Sequence, residues 1–193
     1  MAPFHTLVSV RDGQLHQPSL SQRASISGDG RYVVFTSEAT NLVDGDDEGF
    51  QGVFIKDLAT GAITRISEAA GAGANADSFD PVISADGRYV VFWTMATSLP
   101  AEAPNQFDLY RYDRTTGTLE HVSEFSAALY SGSGTAVLPY ALSADGRYIV
   151  MSNNPPGGDS QFVYDIILKD MDSGTVTVVS RGVNGGQPND HSY

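Results

Sequence analysis

Two linked motifs recur three times along this chain, and no other feature constrains its fold as tightly. Residues 26–35 read ISGDGRYVVF, residues 83–92 read ISADGRYVVF and residues 142–151 read LSADGRYIVM. The serines that mark the copies, Ser27, Ser84 and Ser143, stand 57 and 59 residues apart. A second element follows each copy at a matching offset: GVFIKDLATGAITRIS over 52–67, DLYRYDRTTGTLEHVS over 108–123 and DIILKDMDSGTVTVVS over 165–180. Repetition at a near-fixed period means stacked supersecondary units, because one such unit has an apolar face that it cannot bury alone.

Each unit reads as four short strands. The first ends at Ile26-Ser27, Ile83-Ser84 or Leu142-Ser143. Asp-Gly then predicts a tight turn, since Gly tolerates positive φ and Asp bonds its neighbouring backbone. Tyr32-Val33-Val34-Phe35 and its copies are aromatic and β-branched, as a buried strand requires. A third strand such as Val53–Asp57 leads through Thr60-Gly61, Thr116-Gly117 or Ser173-Gly174 to an outermost strand. In that last strand Thr64 and Arg65 among apolar neighbours predict a partly exposed edge. No helical period is found. The fold class expected is all-β, a partial β-propeller of three four-stranded antiparallel blades plus an extra N-terminal strand.

The pairing of Ser-Ala-Asp-Gly-Arg-Tyr-Val-Val-Phe (84–92) with Asp-Leu-Tyr-Arg-Tyr-Asp-Arg-Thr-Thr-Gly (108–117) resembles the WD40-like PD40 repeat of TolB-type propellers. Ala39-Thr40-Asn41-Leu42-Val43, then Gly45-Asp46, then Lys56-Asp57-Leu58-Ala59-Thr60-Gly61, is similar to the long-blade bacterial repeats of that group. The likeness runs over about residues 20–181. It implies a binding platform, an assembly part or an accessory domain, and leans towards a periplasmic or extracellular setting. The start, Met1-Ala2-Pro3-Phe4-His5-Thr6, lacks the charged-then-apolar pattern of a signal peptide.

The whole of 1–193 reads as a single repeat domain, with blades at about 20–67, 79–123 and 138–180. Residues 1–19 hold an orphan outer strand, Leu7-Val8-Ser9-Val10, and a linker; residues 181–193 resemble a connector to a missing blade. Closed propellers need about four to eight blades. Two readings therefore stand: a fragment of a longer propeller, or a half-ring that pairs with itself or a partner through apolar blade faces. The second predicts self-association, with a homodimer as its simplest form.

The chemistry of the composition is mostly exclusionary. With 11 Lys and Arg against 23 Asp and Glu, the net charge is −12, which disfavours a nucleic-acid surface. No apolar run reaches the roughly 18 residues of a membrane span, so no membrane insertion is expected. Zero cysteines exclude disulfides and thiolate sites. The four histidines, at 5, 16, 121 and 191, have no ligand spacing, and no Gly-x-Ser-x-Gly elbow occurs. One loop, Asp44-Gly45-Asp46-Asp47-Glu48-Gly49, carries acids at alternate positions before a Gly. Asp44, Asp46 and Glu48 are thus the candidate calcium ligands, since Ca²⁺ takes several carboxylate oxygens from one turn. Two departures favour a plain solvated loop: Glu48 is long for its position, and no Glu stands at Ile55, where an EF-hand places its bidentate ligand; Gly52 also stands where Asp108 and Asp165 open the other blades' third strands. No other cofactor is expected.

Threefold repetition of the Asp-Gly-Arg-Tyr turns favours a folding role, since a catalytic site normally differs between repeats. Trp93, Tyr110, Tyr112, Tyr130 and Tyr140 are aromatic enough to line a ligand groove, but most are expected as core or blade-interface residues. The function expected is a non-catalytic propeller segment serving as a protein-interaction scaffold. The alternative is an accessory carbohydrate- or peptide-binding propeller piece of a hydrolase.

Overall fold

A computed structural model describes residues 21–44, 49–68, 75–99, 108–124, 140–153 and 165–181. Twelve strands form three four-stranded antiparallel sheets. The first blade comprises β1 (Ser21–Ile26), β2 (Tyr32–Ser37), β3 (Gly52–Asp57) and β4 (Ile63–Arg65). The second holds β5 (Ser78–Ile83), β6 (Tyr89–Thr94), β7 (Asp108–Asp113) and β8 (Thr118–Glu124). The third holds β9 (Tyr140–Leu142), β10 (Tyr148–Asn153), β11 (Asp165–Asp170) and β12 (Val176–Val178). Strands neighbour one another in chain order within every sheet, and no helix occurs among the described residues. The expected orphan strand at 7–10 and the connector at 182–193 lie outside the described residues.

Period-two alternation decides which neighbour each side chain meets. In the first blade Tyr32, Val34, Val53 and Ile55 face the second blade, where they meet Ile83, Val90, Phe92 and Tyr110. The opposite parity of the second blade, Val91, Trp93 and Leu109, meets Ile149, Met151 and Ile167 of the third. Val33, Phe35 and Phe54 form a further cluster with Ala39 and Leu42 on the outer face of the first blade. Because β2 is buried on both faces, its sequence is a continuous apolar run rather than an alternation. Each large side chain so buried contributes roughly 1.5–3 kcal/mol. The serine that ends the second repeated motif closes the sheet edge: Ser67 Oγ accepts from Val53 N at 3.0 Å, and Ser180 Oγ from Ile166 N at 3.2 Å.

The fourth strand is the partly exposed edge expected, with Thr64 exposed and Ile63 half-buried, yet it buries its arginine. Arg65 is buried, with its guanidinium 5.7 Å from the Phe54 ring centroid. Gly52 makes this position available, because a Cβ there would lie 2.8 Å from Arg65 Nε. The residue that breaks the Asp pattern of the third strands therefore makes room for a cation inside the sheet.

The Asp-Gly pair of each repeated motif sits in the hairpin between the first and second strands, with φ of 71° at Gly30 and 72° at Gly87 and Gly146. Their surroundings differ. A Cβ on Gly146 would fall 2.3 Å from Tyr89 Cδ2, and one on Gly87 2.8 Å from Tyr32 Cδ2, whereas Gly30 has nothing within 4 Å. Gly30→Ala should thus cost only the left-handed backbone penalty of about 1–2 kcal/mol. Gly146→Ala should cost more by about 1–3 kcal/mol, the overpacking term. Urea unfolding of both variants beside the wild type measures the difference; equal losses would show that Tyr89 does not rest on that glycine.

Candidate functional site at the blade junctions

The three Asp-Gly-Arg-Tyr turns share one hydrogen-bond pattern. In the first, Ser27 Oγ donates to Asp29 Oδ1 at 2.6 Å and accepts from Tyr32 N at 2.9 Å, while Arg31 N donates to Asp29 Oδ1 at 2.9 Å. The same bonds recur at Ser84, Asp86, Arg88 and Tyr89, and again at Ser143, Asp145, Arg147 and Tyr148. Each turn arginine then reaches the carboxylate at the end of its third strand: Arg31 to Asp57 at 2.8 Å, Arg88 to Asp113 at 2.7 Å and Arg147 to Asp170 at 2.7 Å. Acid, base and hydroxyl of the motif are all engaged in tying a turn to its own sheet.

The tyrosine of the motif points the other way, into the next blade. Tyr32 lies against Gly87, and the Arg114 guanidinium covers its ring at 4.0 Å while Arg114 Nε donates to Gly87 O at 2.8 Å. Tyr89 lies against Gly146, covered by Arg111 at 4.4 Å, and Arg111 Nη1 donates to Gly146 O at 2.9 Å. Arg111 Nη2 also binds Glu120 at 2.7 Å. Aromatic ring, glycine floor and arginine lid make the same junction twice. Further bonds cross the second junction: Tyr140 Oη reaches Val91 O at 2.8 Å and also contacts Asp80 O, and Lys169 Nζ donates to Val122 O. Burial raises the Tyr140 phenol well above its usual range and lowers Lys169. The innermost strands carry matching bulges. Arg23 and Asp80 have φ of 48° and 49° at equivalent positions and pair with each other at 3.2 Å.

The other candidate residues are dispersed. Asp44 is exposed and borders a groove of about 410 Å³ lined by Leu42, Val43, Thr60, Gly61, Ala62 and Ile63. Asp46 and Glu48, its expected partners for calcium, lie outside the described residues. Among the described residues no three His, Asp or Glu side chains gather as a metal site. His121 pairs with Asp108 at 3.2 Å, its ring 5.3 Å from that of Tyr110. Trp93 and Tyr110 are buried and Tyr112 packs on the first cluster, as expected of interface aromatics; Tyr130 lies outside the described residues. Reasoning from sequence missed Arg111 and Arg114 as junction residues. Their signal was available, since Ile55 and Leu168, then Leu58 and Met171, stand at the same repeat positions. Among the described residues no helix is long and apolar enough to cross a membrane.

Two outcomes follow from these bonds. The hydrogen bond from Arg31 lowers Asp57 from 3.8 to about 2, and Arg88 and Arg147 hold Asp113 and Asp170 well below the usual carboxylate range. Folded values below unfolded ones mean full stabilisation above pH ~4, lost as pH falls through the folded values. Thermal midpoints should therefore drop between pH ~4 and pH ~2, and less steeply in Arg147→Gln. Circular-dichroism melts across that window measure it; an unchanged slope in the variant would remove the ion pair from the account. Separately, Arg111→Leu should lower stability by about 2 kcal/mol, because the Gly146 carbonyl and the Tyr89 face both lose their partner. Denaturant unfolding checks that value.

No protein-family model matches the chain, and no curated protein sequence matches it. Solved structures do. The β-propeller domain of the trilobed protease from Pyrococcus furiosus matches over 82% of this chain and 41% of its own, at 13% identity and TM-score 0.51. An acylaminoacyl peptidase from Pyrococcus horikoshii matches over 82% and 24%, at 13% identity and TM-score 0.51. TolB from Acinetobacter baumannii matches over 81% and 31%, at 23% identity and TM-score 0.49. The chain spans less than half the length of each of these. Three four-stranded antiparallel sheets stacked through repeated junctions, with the likeness to the trilobed protease's propeller domain, establish the fold as consecutive blades of a β-propeller.

Proposed function

We propose that the chain is a propeller segment of the TolB-like, PD40 long-blade type, acting as a non-catalytic scaffold for protein partners. One observation carries the reading. The repeated residues with catalytic chemistry, the Asp, Arg, Ser and Tyr of the turns, are spent on holding turns to sheets and blades to blades. What remains for function in such a fold is its loop surface, supported by rigid strands. The family likeness leans towards a periplasmic or extracellular setting for that surface.

A second reading is an accessory propeller piece of a hydrolase that presents peptide or carbohydrate to a catalytic part. It is favoured by the likeness to the β-propeller domain of the trilobed protease and to part of the acylaminoacyl peptidase. Two measurements separate the readings. The purified chain, assayed on peptide, ester and oligosaccharide substrates, is expected to show no turnover. Turnover abolished by a substitution within the described residues would overturn the scaffold reading. A hydrolase domain encoded in the same open reading frame would favour the accessory reading; further blades alone would favour the scaffold.

A further inference from the structure

We propose that Asp108 and His121 form a binding site for a divalent transition metal, zinc in the first place, inside the junction between the first and second blades. The site goes beyond the scaffold reading and does not rest on it. Asp108 opens β7 and is 2% exposed, yet its carboxylate has a single partner among the described residues, His121 Nε2 at 3.2 Å. Charge-assisted N–H···O bonds run shorter, at about 2.7–2.9 Å. A carboxylate taken out of water is normally paired, well hydrogen-bonded or bound to a metal. Beside it stands a second unmet group. Tyr110, two residues along the same strand and so on the same face, is fully buried, and its Oη has no hydrogen-bond partner. Its ring lies 5.3 Å from that of His121, its cross-strand neighbour, and burial with the nearby Asp108 charge pushes the phenol up to about 12. The first-blade side chains in its cluster include Val53, Ile55 and Ile66, which offer it no acceptor.

The repeat confines this arrangement to one blade. The equivalent cross-strand pairs are Phe54 with Arg65 in the first blade and Ile167 with Val178 in the third. In the first blade Gly52 takes the place of Asp108, and the room it leaves holds the Arg65 guanidinium, a cation supplied by the chain itself. The second blade has the reverse: a buried carboxylate, and a histidine that offers a ligating nitrogen. Imidazole nitrogen with carboxylate oxygen is a zinc donor set, whereas calcium takes six to eight oxygens. Around a zinc with bonds of about 2.0–2.2 Å, adjacent ligand atoms lie about 3.0–3.4 Å apart, which the spacing of Oδ1 and Nε2 matches. Nε2 ligates from the tautomer that carries its proton on Nδ1. The His121 side chain is 20% exposed, which admits the ion and the waters that complete its coordination. Those waters give the Tyr110 hydroxyl an acceptor.

Titration of the 193-residue chain with zinc chloride by calorimetry, and with cobalt chloride by visible absorption, tests the site. One ion per chain is expected at the junction. His121→Gln and Asp108→Asn should each weaken zinc by about tenfold or more, and Tyr110→Phe, which keeps both ligands, by about fivefold. Circular dichroism checks that each variant is folded. In the unaltered chain cobalt should shift the ring protons of His121 in the NMR spectrum, a reading that needs no variant. Replacing His5, His16 and His191 together by Gln should leave the titration unchanged, which separates the junction from adventitious binding at other imidazoles. A wild type that binds neither ion, His121 ring protons that cobalt leaves in place, binding that survives His121→Gln, or binding lost in the triple variant overturns the proposal. Each of those results leaves the scaffold reading to its own assays.

Discussion

A tyrosine seated on the glycine of the following blade, under an arginine, is the contact on which the rest of the molecule depends. A four-stranded blade of this size has apolar side chains on both faces and cannot shield them alone. Tyr32 on Gly87 and Tyr89 on Gly146 set the distance and rotation at which Val34 and Ile55 reach Val90 and Phe92, and at which Val91 and Leu109 reach Ile149 and Met151. The glycines carry two requirements at one position, a left-handed backbone for the turn and an open floor for the ring. No other residue meets both, which is why the Asp-Gly-Arg-Tyr run repeats with so little change.

The chain's charge is arranged around these contacts. Acids outnumber bases by 23 to 11, yet the arginines at the turns and junctions are all committed. Arg31, Arg88 and Arg147 hold their own sheets together through carboxylates at strand ends. Arg111 and Arg114 bridge sheets through ring faces and the Gly146 and Gly87 carbonyls. The exposed turn pairs contribute modestly to stability because solvent screens them. Their larger effect is geometric, since a bidentate pair fixes the turn from which the tyrosine projects.

Much of the architecture was legible before any coordinates. The Ser-x-Asp-Gly-Arg-Tyr runs announced the first hairpin of every blade, and the Thr-Gly or Ser-Gly turns announced the last. Both depend on bonds made within a few residues, as Ser27 to Asp29 and to Tyr32 N show. The burial of Arg65 within a partly exposed edge strand was not legible, because alternation reports only which face a side chain takes; the cavity that accepts it comes from Gly52, thirteen residues away on a paired strand. Arg111 and Arg114 were missed for a related reason. Each departs from its counterparts in the repeat, and a departure acquires meaning only when its partner in a neighbouring blade is in place, the Tyr32 ring for Arg114 and the Gly146 carbonyl for Arg111.

By itself the sequence determined the blade: four short strands, their order, their turns and the parity of their apolar faces. Those properties follow from local backbone preferences and from a period of two, and threefold repetition made them readable without an alignment. Tertiary structure alone decided the joining of blades. Which tyrosine meets which glycine, which arginine covers it, and which of three closely similar turns is left with an open floor depend on contacts between residues 22 to 82 positions apart. Gly30 and Gly146 stand in the same Asp-Gly-Arg-Tyr run, yet one meets nothing within 4 Å and the other carries a ring. The reason is that backbone preference is a property of each turn, whereas occupancy of its floor is a property of its neighbour.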